Sequence, residues 1–287
     1  MIIAKPIGGL GNQMFAYAAG LALARRTGAD LRIDASAYET YKTWPYHLDK
    51  LCIPQNMAPK ARASRLALLV KLAEPLRRFL PRLFSGMPTY REPHFHYDPN
   101  FEKLTSPVAL EGYFQSCRYF TCVEEELREQ FQPSEALSEA AQKTANLIEQ
   151  APCAVSLHVR RGDYLSAQAN GVHGVLGLDY YRRAIAHMQA QHGAAIFFLF
   201  SDDPDWVKAH IGAGIACELV HGDPSRPWED MALMARCDHH IIANSSFSWW
   251  GAWLNPSPNK LVIAPRRWFA TDSLRTDDLI PKSWVLL

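Results

Sequence analysis

The chain has no Cys-x-x-Cys pair, no apolar run near the length of a bilayer span and almost no net charge. Its six cysteines, Cys52, Cys117, Cys122, Cys153, Cys217 and Cys237, are scattered. That spacing fits neither a zinc ribbon nor a disulfide framework, so free thiols in a reducing compartment are expected. A membrane helix needs about 20 consecutive apolar residues, and none is found. Lys and Arg total 30 against 29 Asp and Glu, a formal net charge of +1, so no global field attracts nucleic acid. No internal repeat is visible, which excludes solenoids and propellers. There is no Gly-x-Ser-x-Gly elbow and no nucleophilic Cys–His pattern. His94-Phe95-His96 and His239-His240 come without companion ligands at metal-site spacing, so no metal is expected. Met1-Ile2-Ile3-Ala4 leads straight into an apolar strand pattern, so no secretory signal is expected and the location reads as cytoplasmic.

What remains is an ordinary enzyme composition. The 287 residues are 48 % hydrophobic and 21 % charged, enough for one large or two medium domains. Strand-like and helix-like stretches alternate, as in a parallel α/β protein. Ile2 to Ile7 reads as a strand, Gly8-Gly9-Leu10-Gly11 as a turn and Asn12 to Arg26 as a helix. Leu31 to Asp34 and Val108 to Leu110 read as further strands, Cys122 to Phe131 as a helix, and 85–107 as loop. A regular series starts near Ala151. Its strands are expected at 153–159, 195–200, 216–220, 240–243 and 261–264, with helices at 178–191, 204–211, 227–236 and 246–254. This predicts a doubly wound C-terminal domain, 151–287, after an N-terminal α/β domain, 1–150. Residues 60–84 carry seven basic residues from Lys60 to Arg82 against Glu74 alone, among leucines. They fit a helical pair with a solvated basic side, or a segment lying on an anionic membrane surface.

Four segments could carry chemistry. His158-Val159-Arg160-Arg161-Gly162-Asp163-Tyr164 follows an apolar strand. Two guanidiniums at a strand's carboxyl end suit a phosphate clamp, with Asp163 as a base beside it. A structural Arg–Asp pair fits the same residues. Gly8-Gly9-Leu10-Gly11-Asn12-Gln13 lies between strand and helix, where backbone N–H groups can approach an anion. It resembles a dinucleotide fingerprint, with Asp34 as the ribose acid, but Met14 stands where the third small residue belongs. Ser201-Asp202-Asp203-Pro204-Asp205 ends a buried strand in three acids. These suit metal ligation, contact with a base or ribose, or helix capping. Asn244-Ser245-Ser246-Phe247 opens a helix through hydroxyl residues, an anion site strengthened by the helix dipole. The tryptophans that follow, Trp249, Trp250 and Trp253, read as core packing rather than a sugar platform.

Together these segments resemble the α-1,2-fucosyltransferases of glycosyltransferase family 11. Gly8 to Phe15, Gly112-Tyr113-Phe114-Gln115-Ser116 with Tyr119-Phe120, His158 to Tyr164, Phe200 to Asp203 and Asn244 to Trp250 occur in family order over about 250 residues. The resemblance implies a GT-B-like fold of two Rossmann-type domains facing a cleft. It implies inverting transfer from GDP-β-L-fucose to the 2-hydroxyl of a galactose-containing oligosaccharide or glycolipid, without metal or cofactor. The chain is similar to bacterial members that decorate surface polysaccharide or O-antigen. On this basis Arg160 and Asp163 are the expected catalytic residues. Gly9, Gly11, Asn12, His158, Arg160, Arg161, Asp202, Ser245, Ser246 and Phe247 are expected on the donor, and Tyr113 and Gln115 on the acceptor. Peripheral membrane contact through 60–84 is a further expectation. Two other classes compete: an NAD-dependent oxidoreductase using Gly9 to Met14 with Asp34, and a non-catalytic glycan-binding protein using Trp44, Tyr46, Tyr113 and the tryptophans.

Overall fold

A computed structural model describes residues 1–40, 43–59, 87–162, 174–271 and 273–287. Two sheets organise them, and every ladder within these sheets is parallel. The first comprises β1 (Ile2–Ala4), β2 (Leu31–Ile33), β3 (Thr89–Arg91) and β4 (Val108–Glu111) in the order β2-β1-β4-β3. The second comprises β5 (Ala154–Val159), β6 (Ile196–Ser201), β7 (Cys217–Leu219), β8 (His239–Ile241), β9 (Val262–Ala264) and β10 (Val285–Leu286) in the order β10-β9-β8-β5-β6-β7. Both are α/β sheets, and the second is doubly wound. Its strand order reverses between β5 and β8; that of the first reverses between β1 and β4. Ligands of open α/β sheets bind outside the carboxyl ends of the strands at such reversals.

The helices are α1 (Leu10–Thr27), α2 (Glu124–Gln130), α3 (Glu139–Gln150), α4 (Leu178–Gln191), α5 (Pro204–His210), α6 (Pro227–Arg236) and α7 (Ser246–Leu254). The expected series from 153 to 264 is realised to within one or two residues at each end. β3, α3 and β10 were not expected. β3 is a three-residue edge strand that exposes Thr89 and Arg91, so it lacks an apolar run. Helix α3 has a legible signal in Ser138, whose side chain accepts from the Ala141 N–H, and in Ala141, Ala145 and Ile148 at helical spacing. Those three residues pack with Phe198 and Phe200 of the second sheet.

Helix α1 is apolar all round and buried from Leu10 to Ala24 apart from Asn12, as a helix enclosed on every side must be. It ends where Gly28 takes a left-handed φ of 62°. Its partners are β1 on one side and α7 on the other. Phe15 meets Trp249 and Trp250 with ring centroids 4.7 and 4.8 Å apart. Trp249 and Trp250 are fully buried, so the tryptophan run is core. A single apolar cluster therefore runs from the first sheet through α1 and α7 to β9. The strand reversals of the two sheets are brought together by this packing.

Residues 60–84, with their expected membrane contact, lie outside the described residues. No helix among the described residues is long and apolar enough to cross a membrane.

Candidate active site

Strand β5 delivers Arg160 and Arg161 to one side of the reversal in the second sheet. Each guanidinium is held between a carboxylate and an indole. Arg160 Nη1 is 3.1 Å from Asp202 Oδ2, and its guanidinium stands 5.3 Å from the ring centre of Trp44. Arg161 Nε is 3.1 Å from Asp203 Oδ2, with Trp206 at 4.0 Å. The Arg161 N–H donates to Asp202 Oδ1 at 2.9 Å. A Cβ at Gly162 would lie 2.9 Å from Asp202 Oδ2, so a side chain there would displace the acid from its present position. Both arginines keep about a fifth of their side-chain surface exposed. These contacts orient both side chains, and a guanidinium is a planar donor able to meet an oxyanion through two parallel hydrogen bonds.

The acids are divided between two tasks. Asp203 caps α5 by accepting from the Trp206 N–H and pairs with Arg161. Asp202 holds Arg160 and the turn at Arg161. With both carboxylates directed at cations and N–H groups, Asp202 and Asp203 serve as arginine holders, and Asp203 also as the cap. His158 lies behind them, 5 % exposed, its ring 5.8 Å from that of Phe247. Burial and then Arg160 pull its pKa down to about 3. It is a neutral imidazole at physiological pH, able to donate or accept a hydrogen bond but not to supply charge. Its Nδ1 is buried without a hydrogen-bond partner among the described residues.

Across the reversal, β8 leads into α7. Ser245 caps this helix, its Oγ accepting from the Phe247 N–H at 3.3 Å. Ser246 Oγ donates to Asn12 Oδ1 at 2.6 Å, and Gln115 Nε2 donates to the same atom at 2.8 Å. Trp250 Nε1 donates to the Gly11 carbonyl at 2.9 Å. A Cβ on Gly11 would fall 2.6 Å from the Ser246 carbonyl carbon and 2.7 Å from the Phe247 nitrogen. The Gly-rich turn is thus packed against the start of α7. Gly9 instead faces Trp44, with room for an ordinary contact at 3.6 Å. Of the residues expected on the acceptor, Tyr113 is 44 % exposed while Gln115 is 7 % exposed and occupied with Asn12. Asp163 lies outside the described residues.

This packing disfavours the dinucleotide alternative. The glycine that would admit a pyrophosphate is filled by protein backbone, and Asp34 turns back to accept from the Ser36 N–H. The lectin alternative loses Trp249, Trp250 and Trp253 to the core.

Cys153, His192 and His239 lie close enough to share an ion at the opposite, amino end of the second sheet. His239 Nδ1, however, accepts from the Leu261 N–H. The neutral ring then carries its proton on Nε2, the wrong tautomer for a ligand there. His240 is consumed between Ser156 and Asn255. Sequence reasoning missed Asp230, in the first turn of α6. Burial, then Glu229 and Asp223, push its carboxyl up to about 7, in a small cavity that it shares with His221 and Gly222. It also missed Glu92, whose carboxyl burial likewise pushes up.

Two parallel α/β sheets, with an arginine pair and a helix N-terminus at the carboxyl ends of their strands, define a GT-B-like fold. The chain belongs to glycosyl transferase family 11, which it matches over residues 2–287. It is 32 % identical to an Escherichia coli alpha-1,2-colitosyltransferase over 99 % of this chain and 98 % of the relative. It is 30 % identical to the E. coli O-antigen biosynthesis glycosyltransferase WbnK, covering 98 % of each. Galactoside alpha-(1,2)-fucosyltransferase 1 of Aotus azarae is 30 % identical over 87 % of this chain and 64 % of its own length. Among solved structures, an Arabidopsis thaliana FUT1 mutant in complex with GDP superposes with a TM-score of 0.53 at 12 % identity, covering 98 % of this chain and 74 % of that one.

Proposed function

We propose that this enzyme transfers L-fucose from GDP-β-L-fucose to the 2-hydroxyl of a galactoside, with inversion, in surface-polysaccharide or O-antigen synthesis. The observation that carries the reading is the placement of Arg160 and Arg161 and the start of α7 on the two sides of one strand-order reversal. The linkage is supported by relatives named as α-1,2-transferases, and the setting by the O-antigen relative. In the reaction the bond from fucose C1 to the β-phosphate oxygen breaks, and a bond from C1 to galactose O2 forms on the opposite face. The sugar passes through an oxocarbenium-like state while GDP gains negative charge. Fixed donors already aimed at that charge lower the barrier without reorganising.

Arg160, Arg161 and the Ser246 N–H at the start of α7 fill that role, Asp202 keeps Arg160 in place, and the Phe247 N–H is taken by the Ser245 cap. The buried, neutral His158 offers an uncharged hydrogen bond to the nucleoside. Gly9 borders the donor, whereas Gly11 and Asn12 support the same wall from behind. Asp163 takes the proton from the acceptor hydroxyl. Residues 1–150 form the acceptor side and 151–287 the donor side. Contact of 60–84 with a membrane surface is part of the same proposal, and flotation with anionic vesicles tests it.

A colitosyl donor is the second reading, favoured by the colitosyltransferase relative. Colitose lacks the 3-hydroxyl of fucose, so turnover of the two donors separates them. Calorimetry is expected to show GDP binding more tightly than UDP, ADP or CMP, and transfer is expected to survive EDTA. Equal binding of UDP, or no binding of GDP, overturns the donor. Activity restored only by Mn²⁺ or Mg²⁺ overturns metal independence.

A further inference from the structure

At the carboxyl end of the first sheet, one buried carboxylate organises the loop that follows β4. Glu92 comes directly after β3 and joins the ladder through its own N–H, which donates to the Glu111 carbonyl at 2.8 Å. Its Oε2 accepts two consecutive backbone N–H groups, from Tyr113 at 2.8 Å and Phe114 at 3.0 Å. Gly112 makes this possible. A Cβ there would lie 2.5 Å from Glu92 Cβ and 2.8 Å from Oε2. Burial raises the carboxyl pKa, against the two backbone bonds and the Tyr119 hydroxyl, which lower it. Its Oε1 is buried and has no hydrogen-bond partner among the described residues.

The backbone held by Glu92 is unusual. Phe114 has a φ of 51°, a left-handed conformation that a bulky residue rarely adopts. Its ring is fully buried among Tyr90, Phe101 and Tyr119, which fixes it there. Strain of this kind persists where the surroundings over-determine it, and it gathers at functional sites. The consequences appear on either side of Phe114. Tyr113 is turned out to solvent, while Gln115 is turned in to Asn12, which receives Ser246 at the start of α7. A continuous set of contacts therefore runs from Glu92 to the wall of the donor site. Tyr113 is the solvent-facing side chain at its near end.

We infer that Glu92 is a positioning residue that presents Tyr113 to the acceptor sugar, an inference that rests on the transferase reading above. The carboxylate does not touch the sugar. It clamps the two N–H groups that flank the turn, so the tyrosine ring is offered in one orientation. An aromatic ring of this kind packs on the apolar face of a pyranose. Loss of the clamp should therefore weaken acceptor use and spare the nucleotide.

The test measures acceptor KM, kcat and GDP affinity for Glu92→Ala, Glu92→Asp and Tyr113→Ala, with the folded fraction followed by thermal melting. Glu92→Ala is expected to raise acceptor KM about tenfold or more, with GDP affinity within about twofold. Glu92→Asp is one methylene short of both N–H groups and is expected to follow it more mildly while melting close to the parent. Tyr113→Ala truncates an exposed side chain and should reproduce the acceptor defect without loss of stability. Glu92→Gln keeps an oxygen for both N–H groups and should restore most acceptor use. An unchanged acceptor KM in Glu92→Asp and Tyr113→Ala, or a parallel loss of GDP affinity, overturns the inference while the activity stands. A parent enzyme that transfers nothing to any galactoside overturns the activity and this inference together.

Discussion

Two strand-to-turn crossings face each other in this molecule, and each lies at the point where its sheet reverses strand order. Both carry a glycine and both read from sequence as anion sites. Their neighbours set them apart. The crossing from β1 into α1 is closed by protein: α7 meets Gly11, and Ser246 and Gln115 both donate to Asn12. The crossing beyond β5 is lined by Arg160 and Arg161, each ordered by a carboxylate and an indole with its edge left exposed. A glycine therefore marks close approach of something, and only the partner decides whether that is a ligand or another helix. In the proposed reaction the first crossing builds the wall, and the second supplies the charge.

The sharpest way to test that division is to disable the charge. Arg160→Ala is expected to lower kcat/KM by about 2–4 kcal/mol, roughly 30- to 1000-fold, as loss of one transition-state donor does. Arg160→Lys should also fail, because an ammonium cannot reproduce two parallel contacts. Full activity of the lysine variant would reduce the role to charge alone, or pass it to Arg161. The wall should respond through stability. Gly11→Ala pushes a methyl group into the backbone of Ser246 and Phe247, which cannot rotate away. Overpacking of this kind costs about 1–3 kcal/mol, read as a lower urea midpoint. Gly9→Ala meets Trp44 at an ordinary 3.6 Å and should melt within a degree or two of the parent. If it nonetheless lost GDP affinity, Gly9 would be shown to border the ligand. Equal destabilisation by the two alanines would erase the distinction between them.

Much of this arrangement was legible because parallel strands buried on both faces read as continuous apolar runs. Phe197 to Phe200 and Ile241 to Ala243 are such runs, and the polar residues placed after them fall at strand ends. The arginine pair, Asp202 and Ser245 follow directly. What stayed hidden depends on partners far away in the chain. Nothing near Gly11 announces that Phe247 will occupy the space a side chain would need. Glu92 sits in a stretch that reads as loop, and its two N–H partners lie 21 and 22 residues further on. Asp230 looks like a solvated helix acid until the fold buries it. Asp202 and Asp203 carry the same chemistry and the same local pattern. The helix start at Pro204, which makes Asp203 the cap, and the directions of Arg160 and Arg161 separate their tasks.

Trp44 connects the two crossings and gives the smallest expected loss of activity. It rests on Gly9 of the closed crossing and presents its ring to Arg160 of the charged one. Its contribution is to narrow the orientations of a guanidinium that Asp202 already holds. A partly desolvated cation–π contact is worth about 0.5–2 kcal/mol, so Trp44→Ala should lower kcat/KM for the donor by about 2- to 30-fold, a smaller loss than Arg160→Ala. Trp44→Phe keeps a ring face and should recover part of the difference. The decisive measurement is the double variant. With Arg160 already replaced by Ala, truncating Trp44 should cost little more, because the ring acts through that guanidinium. Fully additive losses would mean that Trp44 meets the donor or acceptor directly. The closed crossing would then contribute a ligand contact of its own, and the division between wall and charge would have to be redrawn at this residue.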